Sequence, residues 1–176
     1  MLAAQGYQES GLDQSKRSPV GAVGVMQLLL STARELGVAG IDKDAEANIR
    51  AGAAYMRRLE QTYVNDPGMD EKNRVLMTFA AYNAGPGNLQ KFRRLAKQDG
   101  LDPNIWFSNV EIEAAKVVGA ETVQYVSNIY KYYIAYSLLL ERQAAEEAAK
   151  QKVKTPAPAP QPRRRVIAPH ELTGLA

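Results

Sequence analysis

Glu9 is the residue whose setting first asks for a chemical explanation. It closes an apolar run, "LAAQGYQES", and a loop of small residues, "GLDQSKRSPVGAVGVMQ", follows it. A carboxyl group at the inner end of a packed helix is partly desolvated. Burial disfavours its charged form, and the raised pKa suits a general acid near neutral pH. Taken alone, the local pattern is more often that of a solvated glutamate at a helix end. Asp13 is the obvious second carboxylate. Gly11 ends the helix between the two, and Asp13 reads better as a turn or capping residue in "GLDQS". Glycosidases that use two carboxylates hold them about 5–5.5 Å apart when retaining and about 6.5–9.5 Å apart when inverting.

Three further stretches carry polar groups beside small residues. In "SPVGAVGVMQ", Gly21 and Gly24 let a backbone approach a neighbour closely, Met26 offers an adaptable apolar wall, and Gln27 a donor and an acceptor. A plain glycine turn before a core helix accounts for the same pattern. In "AAYNAGPG", Tyr82 and Asn83 place a phenol and an amide where a helix opens, which suits sugar rings and hydroxyls; helix capping by Asn83 and Gly85 is a compatible reading. In "ETVQYVSNIYKYY", Tyr125 lies one turn after Glu121, and most of these tyrosines read as core or rim, with Lys131 and Tyr132 pointing away from the apolar face.

Composition narrows the chemistry. No cysteine is present, which removes disulfides, thiolate sites and cysteine nucleophiles, and the single histidine, His170, leaves no basis for a serine–histidine–aspartate site or a multi-histidine metal site. No metal or cofactor is expected. The net charge is only +3, much of it local to Arg163, Arg164 and Arg165, to which no specific partner is assigned. No helix interleaves basic and aromatic residues, so nucleic acid is not expected as a partner. Nothing approaches the roughly 18 apolar residues of a membrane span, and no signal peptide precedes the first helix. The abrupt start reads as that of a fragment of a longer protein.

The elements that must position these groups are helical. Periodicity and punctuation predict helices from about 2–10, 31–37, 45–64, 70–83, 88–99, 109–118 and 121–149, and no strand. In the 45–64 helix, Ile49, Ala53, Met56, Leu59 and Tyr63 form the expected inner face; in the first helix, Ala3, Ala4 and Tyr7 do. In the last, Val123, Val126, Ile129, Tyr130, Tyr133 and Ser137 to Leu140 are expected to pack inward. After Lys154, "TPAPAPQPRRRVIAPHELTGLA" reads as a stiff, disordered tail. The expected organisation is a domain over 1–142, a projecting helix end over 143–154 and a Pro-rich tail over 155–176.

The order "ES", "SP.GA.G.MQ", "AYNAGPG", "ETVQYV" resembles the catalytic domain of the soluble-type lytic transglycosylases, a branch of the lysozyme-like superfamily, over about Ala3 to Tyr136. The stretches "AAQGYQES", "GLDPNIWFSNVE" and "ETVQYVSNIYKYYIAY" are most similar to the C-terminal domain of a membrane-bound member, in which a ligand-binding-type domain and a signal sequence come first. The resemblance implies a mainly α, lysozyme-like (goose-type/lytic transglycosylase) helical domain. It implies Glu9 as catalytic acid/base, Ser10 beside it, Ser18, Met26 and Gln27 lining the sugar cleft, Tyr82 and Asn83 on the opposite wall, and Tyr125 reaching back toward Glu9.

Family members cleave the β-1,4 bond between N-acetylmuramic acid and N-acetylglucosamine and leave a 1,6-anhydromuramoyl end. Peptidoglycan glycan strands are therefore the expected partner of a monomer in the periplasm or cell envelope, with peripheral outer-membrane association through an upstream region. The muramoyl N-acetyl group stabilises the sugar cation and the C6 hydroxyl attacks C1, so one carboxyl group suffices and Asp13 can remain a turn residue. Leu30 stands where the family usually has proline and Val25 where leucine is common; the first costs some helix preorganisation rather than chemistry. A glycan-binding module without turnover and a hydrolytic lysozyme are the competing readings.

Overall fold

The computed structural model describes residues 1–154, with side chains through residue 151; the expected Pro-rich tail, with Arg163, Arg164, Arg165 and His170, lies outside the described residues. Helix α1 (Leu2–Ser10) ends at Gly11, whose φ of 70° is the left-handed stop that glycine accepts without strain. A short antiparallel hairpin follows, β1 (Ala22–Val23) against β2 (Leu28–Leu29), with Ala22 opposite Leu29 and Val23 opposite Leu28. Next come α2 (Leu30–Glu35) and α3 (Ala45–Tyr63). The Asp44 carboxylate caps α3 by accepting from the amides of Glu46 and Ala47. Asp70 caps α4 (Glu71–Ala84) in the same way through the amide of Asn73. Gly85, at φ 88°, separates α4 from α5 (Pro86–Gln98), whose first residue is the proline that position favours. An irregular turn over Trp106–Val110 leads into α6 (Glu111–Val118), and α7 runs over Ala120–Lys154. The mainly α architecture is the one the sequence predicts; the hairpin is an addition to it.

Residues Met1–Leu139 form one compact unit, and a second begins at Leu140. In the first unit, α4 is the central rod: Leu76, Met77, Phe79, Ala80 and Ala81 are all buried. Leu89, Phe92 and Ala96 of α5, Trp106, and Tyr125, Val126 and Ile129 of α7 enclose it. Each such Leu, Ile or Phe contributes about 1.5–3 kcal/mol by leaving water. A smaller cluster of Val23, Leu28, Ala33, Ile41, Ala47 and Ala51 ties the hairpin to α2 and α3, and Tyr55 and Tyr82 pack against both clusters. In the second unit, the described side chains of 140–151 are exposed, and Arg142 and Glu146 form an ion pair one helical turn apart.

Three predicted faces need correction. On α3, Ile49 and Tyr63 are exposed, while Ala47, Asn48, Ala51, Gly52 and Leu59 are buried. The inner surface there is built from small residues because the hairpin comes too close for large ones: a Cβ on Gly52 would lie 2.7 Å from Met26 Cγ. On α1, Ala3 and Tyr7 are exposed, and Ala4, Gln5 and Gly6 face inward. On α7, Leu138, Leu139 and Leu140 are 61%, 51% and 64% exposed, because the α7 residues that meet the core end at Tyr133. Tyr132 does not point away: its ring meets Tyr7 edge-on, 4.9 Å between centroids. Among the described residues no helix is long and apolar enough to cross a membrane.

Candidate active site

Glu9 occupies the last turn of α1, where the helix dipole already disfavours a carboxylate. Ser10 anchors that turn. Its hydroxyl lies 2.8 Å from the Val25 carbonyl and 3.1 Å from that of Gly6, and accepts from the Asp13 amide. Ser10 is thus committed to holding α1 against the loop. The Tyr125 hydroxyl, delivered by α7, donates to Glu9 Oε1 at 2.5 Å, and the Gln5 Nε2 amide donates to the same hydroxyl at 3.3 Å. Lys16 Nζ donates to the Glu9 main-chain carbonyl.

These surroundings raise the Glu9 pKa from 4.5 to about 7. Burial is the dominant cause, and the Tyr125 hydrogen bond and the Lys16 charge oppose it. Burial, reinforced by the nearby Glu9 carboxylate, pushes the phenols of Tyr82 and Tyr125 up, so both remain protonated donors at neutral pH. The site therefore holds one carboxyl group that exists in both protonation states near pH 7. Tyr125→Phe removes a donor that favours the ionised form, so the Glu9 titration midpoint should rise above 7, read by carboxyl carbon NMR of glutamate-labelled protein.

The Asp13 carboxylate plays no part in this arrangement. Its Oδ1 accepts from the Ser15 amide at 2.7 Å and from the Ser15 hydroxyl at 2.6 Å, which holds its carboxyl below the usual range. It is the turn residue the sequence suggests.

The loop after α1 is fixed by two amide side chains. Asn48, fully buried on α3, donates to the carbonyls of Val23 and Ile41 and accepts from the Met26 amide. Gln14 donates to Ile41 and accepts from the Val25 amide. Gly24 passes between them at φ 76°, and a Cβ there would lie 2.4 Å from Asn48 Nδ2 and 2.6 Å from Gln14 Oε1. The glycine is needed so that the loop can be pinned. Ser18 is committed to its own turn, accepting from the Ala22 amide at 2.9 Å. Met26 differs from its expected role as a cleft wall. Its side chain is buried, and what it offers is its main-chain carbonyl, which accepts from the Tyr82 hydroxyl at 2.8 Å. Gln27 adopts a left-handed φ of 46° and donates to the carbonyls of Gly24 and Lys16.

On α4, Tyr82 packs its ring edge-on against Tyr55, 5.2 Å between centroids. Asn83 is not a cap. Its Oδ1 accepts from the Thr122 hydroxyl at 2.7 Å, which ties the end of α4 to α7 three residues before Tyr125. The structure thus gathers Glu9, Tyr82, Tyr125 and the Met26 carbonyl about one point, with Asn83 fixed alongside. Gln5, Lys16, Asn48 and Thr122 are the participants the sequence reading passes over. Thr122 lies inside the quoted "ETVQYV", Gln5 inside "LAAQGYQES", and Asn48 on a helix whose expected inner face is built from larger apolar residues.

Comparison with known proteins gives a consistent set of relatives. The family described as "Transglycosylase SLT domain" matches residues 1–104. A "Membrane-bound lytic murein transglycosylase F 1" from Alkalilimnicola ehrlichii is 42% identical over 146 residues, covering 76% of this chain and 29% of that protein. A "Membrane-bound lytic murein transglycosylase F" from Desulfosudis oleivorans is 37% identical, covering 76% of this chain and 32% of that protein. This chain thus spans less than a third of the length of these curated relatives. Among solved structures, an inactive glutamate-to-glutamine mutant of the lytic transglycosylase Slt from Pseudomonas aeruginosa superposes with a TM-score of 0.59 at 29% identity, covering 80% of this chain and 21% of that one.

Proposed function

Because this chain belongs to the transglycosylase SLT domain family and has its lysozyme-like helical fold, we propose that it is a peptidoglycan lytic transglycosylase with Glu9 as its single acid and base. The observation that carries this reading is the Glu9 carboxyl, poised at a pKa of about 7 under the Tyr125 hydroxyl while Asp13 is tied to Ser15. Protonated Glu9 gives its proton to the glycosidic oxygen as the bond from C1 of the N-acetylmuramic acid breaks. The muramoyl N-acetyl group stabilises the cation. The C6 hydroxyl then attacks C1, and the Glu9 carboxylate takes the hydroxyl proton, which restores the acid. No water is consumed, and intramolecular attack draws on the high effective molarity of a tethered nucleophile. The inactive mutant of Slt, a glutamate replaced by glutamine, fits a reaction that depends on one carboxyl group.

The glycan strand is the partner, and we assign Gln27 and Asn83 to its hydroxyl and acetamido groups. We assign the protein to the cell envelope on the strength of relatives named as membrane-bound murein enzymes, and propose that it acts as a monomer.

The test is digestion of purified peptidoglycan followed by mass analysis of the products. Anhydro-ended muropeptides support the reading; reducing ends indicate a hydrolytic lysozyme, and binding without cleavage a glycan-binding module. Asp13→Asn, which keeps the oxygen that Ser15 uses, should leave the cleavage rate within about twofold. A large loss would mean that a second carboxylate takes part.

A further inference from the structure

The buried amide of Gln5 has no role in the reaction just described, yet it touches the machinery. We infer that Gln5 is a positioning residue for the Glu9 proton, acting through the Tyr125 hydroxyl; this rests on the proposed role of Glu9. Gln5 lies on α1 one helical turn before Glu9 and is fully buried. A buried amide is costly unless its groups are paired, and here only half of it is. Nε2 donates to the Tyr125 hydroxyl, while Oε1 is buried without a partner. A glutamine that served only as packing would be replaced at a gain by an apolar residue of the same shape.

The geometry fixes a direction of donation. A phenol oxygen has one proton, and that of Tyr125 lies on the 2.5 Å bond to Glu9 Oε1. Toward Gln5 the oxygen presents only a lone pair, so the amide must offer N–H. With Oε1 of Glu9 occupied as an acceptor, the transferable proton is kept on Oε2. Donation from Gln5 also withdraws electron density from the phenol and makes it a stronger donor to the carboxylate. The turned amide would offer Oε1 to the phenol proton and compete with Glu9 for it. The other groups acting on Glu9 are Lys16 from the loop after α1 and Tyr82 from α4. Neither bonds to the Tyr125 hydroxyl.

Gln5→Met has nearly the same shape and removes both the donor and the orphaned oxygen. Its melting temperature should equal or exceed that of the parent. The Glu9 midpoint, followed by carboxyl carbon NMR and assigned by its absence in Glu9→Gln, should rise by roughly half a unit because the phenol donates less strongly. On peptidoglycan, kcat should fall about fivefold with KM unchanged. A midpoint that stays within about 0.1 unit in the folded variant overturns the inference, whatever happens to stability. A second measurement needs no variant: in the parent chain, one of the two Gln5 amide proton resonances should shift with the Glu9 midpoint. Insensitivity of both overturns it equally. The NMR readouts do not depend on turnover, so a parent chain that yields no anhydro ends would sink the proposed function while leaving this coupling to be decided separately.

Discussion

Glu9→Gln should lower the rate of peptidoglycan cleavage by at least about a thousandfold, and above pH 7 it should unfold at a higher temperature than the parent. The two effects share one cause. In the unfolded chain Glu9 titrates near 4.5; in the folded chain, desolvated, it titrates near 7. Between those values the folded protein retains a proton that the unfolded protein has released. Stability attributable to Glu9 is therefore full below pH 4.5 and is lost as the pH rises through 7. The shift corresponds to about 3–3.5 kcal/mol at most. Glutamine keeps an acceptor for Tyr125 and carries no charge to desolvate. Thermal unfolding of the pair should coincide at pH 4 and diverge by pH 8, with the variant above. A variant that is inactive but no more stable at pH 8 would mean that Glu9 is solvated, and the acid/base assignment would fail with it.

Asn48→Ala should destabilise the protein by about 3–5 kcal/mol, read by urea unfolding. The Met26 amide and the Val23 carbonyl lose the Asn48 amide together, and the Ile41 carbonyl is left with Gln14 alone. The effect should reach chemistry, because the Met26 carbonyl that receives the Tyr82 hydroxyl belongs to the same segment. A loss below about 1 kcal/mol would show that water replaces the amide and that the loop is not held from α3.

The helices were legible because their punctuation is chemical. Asp44 and Asp70 sit where a carboxylate caps, and Gly11 and Gly85 sit where only a left-handed residue closes the turn. Glu9 and Tyr125 were legible from motif order, and the structure places them in contact. The inner face of α3 was not, because hydrophobic periodicity weights residues by size, and this face buries Gly52 and Asn48 in preference to Ile49. The two-residue strands are too short for alternation to register. Asn48 and Gln5 were invisible for a related reason: an amide is read as surface until the partners that satisfy it, most of them more than twenty residues distant, are known.

Met26 lies with its sulfur 3.5 Å from where a Cβ of Gly6 would stand and its Cγ 2.7 Å from where one of Gly52 would stand. A single thioether is the spacer between the helix that carries the acid and the helix that holds the loop. Bulk cannot be added at position 52 unless it is subtracted at position 26. The two sites share one gap, and that gap sets how far apart the two helices stand.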